Sequence, residues 1–248
     1  MQPLPVPTDG LNVLLEDNHL LVIDKPAGLL SQSAEAGDDN AVVRAGAYLR
    51  DRYQKPGNVY VGLVHRLDRN TSGVLVLART SKAAARLAEA FSGANAADTQ
   101  SASARRAAKT YLAVVRGAPP VEGRLEHALV ELEQGVRVVA PGTPHARRAA
   151  LLFRRLAVAS DHALLEVTLL TGRKHQIRAQ LAAARHPLVG DVRYGPRSPG
   201  APVLPRPALH ALRVAFEHPV ARTPVVVEAP LPPDLEALLK TLGLKLPA

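Results

Sequence analysis

A polar stretch, His65-Arg66-Leu67-Asp68-Arg69-Asn70-Thr71-Ser72-Gly73, runs without a break into Val74-Leu75-Val76-Leu77-Ala78. Consecutive apolar residues without helical spacing suit a strand covered on both faces. The polar stretch is therefore delivered to the edge of the core. A single acid, Asp68, lies there between Arg66 and Arg69, and Asn70, Ser72 and Gly73 are turn formers. On spacing alone, an exposed loop carried for solubility reads the same way.

Hydropathy patterning on either side of this stretch predicts short strands mixed with helices. Leu11 to Glu16 and Leu20 to Asp24 form a hairpin around Asp17-Asn18-His19, and Asp24-Lys25-Pro26-Ala27-Gly28-Leu29 then turns. A helix over Ala41 to Tyr53 is capped by Asp39 or Asn40, and a second over Lys82 to Phe91 by Thr80 or Ser81. Val59 to Leu63 is a short strand entering the polar stretch. Further strands are expected at Lys109 to Gly117, Gly123 to Glu126 and Gly135 to Ala140. A long hairpin joins Ala149 to Ala159 with Ala163 to Leu170 across Ser160-Asp161. Thr171-Gly172 makes a sharp exit into a helix carrying Ile177, Leu181 and Ala184, with Arg173, Lys174 and His175 near its N-terminus, where free N–H groups favour anions. Strands at Leu209 to Phe216 and Val225 to Glu228 and a helix from Pro233 to Leu242 complete the chain. Strands joined by short turns imply a mainly antiparallel sheet rather than strict βαβ alternation.

Charge narrows the partner. The 248 residues carry 31 Lys and Arg against 22 Asp and Glu, a formal +9, which points to a polyanion. No cysteine is present, which excludes disulfides, thiolate zinc sites and cysteine nucleophiles. The histidines are dispersed, with no H-x-x-x-H or H-E-x-x-H pattern, and neither a P-loop nor a nucleophile elbow occurs, so no metal or cofactor is expected. No apolar run approaches the roughly 20 residues of a bilayer span, and a cytoplasmic protein is expected. Aromatic residues are only 3% of the chain and Trp is absent, which disfavours an aromatic stacking platform.

His65-Arg66-Leu67-Asp68-x-x-Thr71-Ser72-Gly73 resembles the signature of the RluA-type RNA pseudouridine synthases, and the match is complete. Asp24-Lys25-Pro26-Ala27-Gly28-Leu29, Lys109-Thr110-Tyr111, Thr171-Gly172-Arg173-Lys174-His175-Gln176-Ile177-Arg178 and the segment from His186 to Gly195 are similar to further family motifs. The resemblance runs from about Leu11 to Leu235. It implies an α/β (α+β) fold with a mixed, mainly antiparallel central sheet, flanking helices and a central cleft. It also implies isomerisation of a specific uridine in structured RNA, ribosomal or transfer, without a cofactor. By resemblance, Asp68 is the catalytic carboxylate, Arg178 its cationic partner and Tyr111 the ring against the target base. Arg66 fills the gap left by the flipped base or contacts phosphate. Leu67 belongs to an apolar wall, His65 holds the loop beside the substrate, and Lys25 lies near the RNA-facing side.

The expected organisation is a lead-in at 1–10, one catalytic domain at 11–242 and a tail at 243–248, acting as a monomer. Two surface segments interrupt it: residues 92–108, longer than the family's usual connection and carrying Arg105-Arg106, and the Pro-rich loop 196–207. Gln180 stands where many relatives have His. Only about ten residues precede the first strand, where many relatives carry an RNA-binding module, so recognition is expected from the catalytic domain. Two other readings fit fewer residues. A base-releasing N-glycosidase would need a second carboxylate or an activated water, and no second acid accompanies Asp68 in its loop. An RNA-binding protein without catalysis would have no need of Asp68, Tyr111 and Arg178 together.

Overall fold

Strand β4 (Ser72–Ala78) is buried at every position, as its unbroken apolar run demands. The computed structural model describes residues 11–33, 38–92, 106–195 and 204–246, and these form two compact units. The first draws on residues 11–92, 106–107 and 213–230, and the second on 108–212 and 231–246. Strand β10 (Leu209–Glu217) begins in the second unit and ends in the first. The expected 92–108 insertion and 196–207 loop fall largely outside the described residues, as does the 1–10 lead-in.

In the first unit, β1 (Asn12–Glu16) and β2 (Leu20–Lys25) form the expected antiparallel hairpin. Asp17 Oδ1 closes it by accepting the His19 and Leu20 N–H groups, each at 2.7 Å. Strand β2 pairs antiparallel with β4, Ile23 opposite Leu75. Helix α1 (Ala41–Arg52) starts at Asn40, whose side chain accepts the Val43 N–H. Helix α2 (Ser81–Phe91) starts at Thr80 in the same way, and its Ala83, Leu87 and Phe91, four residues apart, bury one stripe. That stripe packs on Leu20, Val22, Val74 and Val76 of the sheet, with Val214 and Phe216 from the second half of β10. Strand β11 (Pro224–Glu228) pairs with that half of β10, Val227 opposite Val214.

In the second unit, β5 (Ala108–Arg116), β6 (Glu122–Leu132), β7 (Gly135–Val139), β8 (Arg147–Ala159) and β9 (His162–Leu169) pair antiparallel in the order β5-β9-β8-β6-β7. Side chains alternate faces along each strand. Helix α3 (Gln176–Ala183) lies on one face, where Ala179 meets Leu129, Val136 and Ala149. Helix α4 (Pro233–Leu242) covers the other, packing Leu235, Leu238 and Leu239 on Leu112, Val114 and Leu164. Pro233 at its start and left-handed Gly243 at its end bound α4 where the sequence predicts.

Two elements differ from expectation. Strand β3 is only Gly62–Leu63, not Val59 to Leu63, and β6 runs to Leu132 rather than ending at Glu126. The first difference lies at the N-terminal end: Gly62 already sits opposite Ala78, the last residue of β4, and the next amide, Arg79 N–H, goes to the His19 carbonyl, so residues 59–61 have no strand to pair with. At its other end β3 stops after Leu63, where the Val76 N–H is taken by His65 Nε2 at 3.0 Å. The second reflects pairing: His127 to Val130 are half-buried or buried without alternation, and Ala128 to Leu132 are held in the strand by their antiparallel pairing with β7.

Candidate active site

The signature loop crosses from β3 to β4 in the first unit, and its backbone is clamped around Asp68. Ser31 is buried, and its hydroxyl donates to the Leu67 carbonyl at 2.9 Å while accepting the Leu67 N–H at 3.0 Å. On the other side of Asp68, the Arg69 carbonyl accepts the Gly28 N–H at 2.8 Å and Lys25 Nζ at 3.1 Å. The Asp68 carbonyl itself accepts the Thr71 N–H at 3.0 Å. Residues 67, 68 and 69 therefore have little freedom in φ and ψ. The half-buried Asp68 side chain leaves from a fixed Cα.

Lys25 belongs to the chemistry of the turn. It is fully buried, with Nζ donating to the Pro26 and Leu29 carbonyls at 2.8 Å each as well as to Arg69. An ammonium so enclosed cannot meet RNA phosphate; it ties the Pro26-Ala27-Gly28 turn to the signature loop. Gly28 adopts φ +90°, which the turn requires and only glycine takes without strain. Sequence reasoning marked the turn but missed Ser31, which no local pattern distinguishes from any other serine.

The neighbours of Asp68 are sorted by exposure. Leu67 is buried, Arg66 is exposed, and exposed Arg69 uses Nε on the Gly28 carbonyl at 2.9 Å. His65 stacks on Phe91 with ring centroids 4.4 Å apart and planes 5° from parallel, besides accepting from Val76. These two contacts give His65 the loop-holding role.

Tyr111 and Arg178 belong to the second unit. Tyr111 is opposite Val167, which is opposite Phe153. Alternation along β8 puts Phe153 on the face of Ala149, so Tyr111 points to the side that α3 covers. Lys109, two residues earlier, shares that face and is buried; burial pushes its ammonium below the usual lysine range. A Cβ on Gly172 would come within 3.4 Å of Lys109 Nζ, so the lysine tip lies beside the turn that leads into α3.

That turn is built from Gln176. Its Oε1 accepts from the Thr171 hydroxyl at 2.7 Å and the Arg173 N–H at 3.0 Å, and its Nε2 donates to the Ala150 carbonyl at 3.0 Å. The basic residues at the start of α3 already have protein partners. Arg173 Nε donates to the Arg148 carbonyl, Lys174 pairs with Glu131 at 2.9 Å, and His175 Nδ1 contacts Tyr194 Oη at 2.9 Å. Arg178, buried on the first turn of α3, directs Nε and Nη2 at the two oxygens of Asp191, 2.7 and 2.9 Å away. Asp191 stood in the recognised His186-to-Gly195 segment without a role; nothing in the spacing pairs it with Arg178. Gln180 is fully buried and donates to the Leu125 and Ala149 carbonyls, which ties α3 to β6 and β8. Among the described residues, no cluster of three or more His, Asp or Glu could hold a metal ion, and no helix is long and apolar enough to cross a membrane.

The chain is similar to several known proteins. The family model described as RNA pseudouridylate synthase matches residues 19–183. The ribosomal large subunit pseudouridine synthase D of Xanthomonas campestris pv. campestris is 38% identical over 250 residues, covering 94% of this chain and 69% of that protein. The protein of the same name from Zymomonas mobilis subsp. mobilis is 34% identical over 257 residues, covering 97% and 77%. The solved human RNA pseudouridylate synthase domain containing 4 superposes with a TM-score of 0.77 at 24% identity, over 96% of this chain and 95% of that one, and so shares the fold.

Proposed function

Because this chain belongs to the RNA pseudouridylate synthase family, we propose that it converts a specific uridine of large-subunit ribosomal RNA to pseudouridine, with Asp68 as the reacting carboxylate. The reaction breaks the bond from ribose C1′ to uracil N1, turns the base and joins C1′ to C5, with the C5 proton lost and N1 protonated. It is redox-neutral and calls for no cofactor. A carboxylate serves it by adding to C1′ or by accepting the C2′ proton.

The observation that carries this reading is the clamp on residues 67 to 69. A carboxylate must meet the ribose in a near-attack geometry, and misplacement by about 1 Å can cost roughly 10²-fold in rate. Three backbone positions tied by Lys25, Gly28, Ser31 and Thr71 restrict the Asp68 main chain, which supports that role. The family motifs that residues 109–111 and 171–178 resemble support giving Arg178 the part of the cation that keeps a carboxylate ionised under a flipped base, and Tyr111 that of the ring against the base. Flipping costs a few kcal/mol, and exposed Arg66 offsets it by stacking where the base has left. The +9 charge supports RNA as the partner.

The test uses deproteinised large-subunit rRNA from cells lacking this protein. Purified protein should convert uridine to pseudouridine with no change in mass and no free uracil, and Asp68→Asn should abolish conversion. Release of uracil would identify a glycosidase, and conversion by Asp68→Asn would remove Asp68 from the chemistry.

A further inference from the structure

We propose that Asp191 is a positioning residue that, together with the Tyr194 ring, fixes the direction of the Arg178 guanidinium. The inference rests on the role given to Arg178 above. Two parallel bonds from Nε and Nη2 to one carboxylate define the guanidinium plane, where a single contact would leave it free to swing. The carboxylate is itself immobile. Its side chain is 1% exposed, and Oδ1 also accepts the backbone N–H groups of Arg193 at 3.1 Å and Tyr194 at 3.2 Å. The Asp191 carbonyl accepts the Gly195 N–H at 2.9 Å, closing the turn around it.

Tyr194 supports the guanidinium from a second direction, with Arg178 Cζ 5.1 Å from the ring centroid. Its hydroxyl accepts the Val136 N–H at 2.9 Å and contacts His175 Nδ1 at 2.9 Å, so the ring is fixed to β7 and to the residue that begins α3. Arg178 thus sits on a support drawn from one helix, one strand and one turn. Stability alone does not account for this. A buried ion pair returns about what its desolvation costs, and well-packed apolar residues often do as well. What the pair adds is direction.

The experiment follows single-turnover pseudouridine formation in the same rRNA. Asp191→Asn should lower kcat by roughly 10²-fold and leave KM within about threefold, because aim rather than RNA affinity is lost. In an Arg178→Ala background, Asp191→Asn should cost less than about threefold more, since Asp191 acts through Arg178. Should Asp191→Asn fail to fold, Asp191→Glu decides. It keeps the buried charge paired but shifts the fork by one methylene, and should lower kcat by at least about tenfold. A folded Asp191→Asn or Asp191→Glu with wild-type kcat, or losses that multiply in the double variant, would overturn the inference. Full activity in Arg178→Ala alone would instead overturn the role of Arg178, and the inference with it.

Discussion

Ser31 contributes one hydroxyl, yet both polar groups of the Leu67 backbone depend on it. Ser31→Ala leaves a buried N–H and a buried carbonyl unpartnered, and each such group costs about 1–3 kcal/mol. The substitution should lower stability by about 2 kcal/mol in denaturant titration and slow turnover by about tenfold, because Asp68 follows Leu67 in the chain. Undiminished kcat in a folded Ser31→Ala would mean that the clamp does not serve catalysis. Lys25 shows what residue type alone leaves open. A lysine beside a Pro-Ala-Gly turn can face outward or hold the turn, and this one donates to three carbonyls inside the first unit. Burial separates these roles, and burial is not written in a six-residue motif.

At the scale of elements, the Leu188 to Gly195 turn depends on Gly190. It adopts φ +75°, and a Cβ there would lie 2.1 Å from the Arg206 carbonyl oxygen and 2.6 Å from that of Leu204. Gly190→Ala combines left-handed strain with a backbone collision, and should lower stability by about 3 kcal/mol or more; a thermal midpoint equal to wild type would contradict that. The sequence made most elements legible because their signals are local. Asn40 and Thr80 cap the helices where short polar residues precede apolar spacing, and Pro233 and Gly243 bound the last helix. The β8–β9 hairpin turns at Ser160 and Asp161 as its two apolar runs require. Where a strand runs out of partner, as β3 does when β4 ends at Ala78 opposite Gly62, the signal is tertiary and the prediction runs too long. The candidate site divides in the same way. Asp68, Tyr111 and Arg178 were reached through motifs, whereas Ser31 and Asp191 become visible only when segments 36 and 13 residues away meet them.

The whole molecule carries an excess of nine positive charges, and two solution properties follow. RNA binding should weaken steeply with salt, with log Kobs falling by about 0.7–0.9 per phosphate contacted for each unit of log salt. A flat titration would argue against an electrostatic footprint. Stability should fall in acid. Arg44 holds the Asp39 carboxyl, and Arg206 the Asp234 carboxyl, below the ordinary 3.8, while Arg148 and Arg124 hold Glu126 at about 2. Since these folded-state values are depressed, the stabilisation is complete above the ordinary carboxylate range and is lost as pH falls through the folded values. The thermal midpoint should therefore drop between about pH 5 and about pH 2, less so in high salt because the carboxylates of these pairs are exposed. An unchanged midpoint would show that the pairs contribute nothing. The central claim is that Asp68 performs RNA isomerisation, and a pseudouridine map of ribosomal RNA tests it most directly. In cells lacking the protein, at least one large-subunit position should lose its pseudouridine, regain it with the wild-type chain and remain uridine with Asp68→Asn. A map unchanged by the deletion, or restored by Asp68→Asn, would contradict the account.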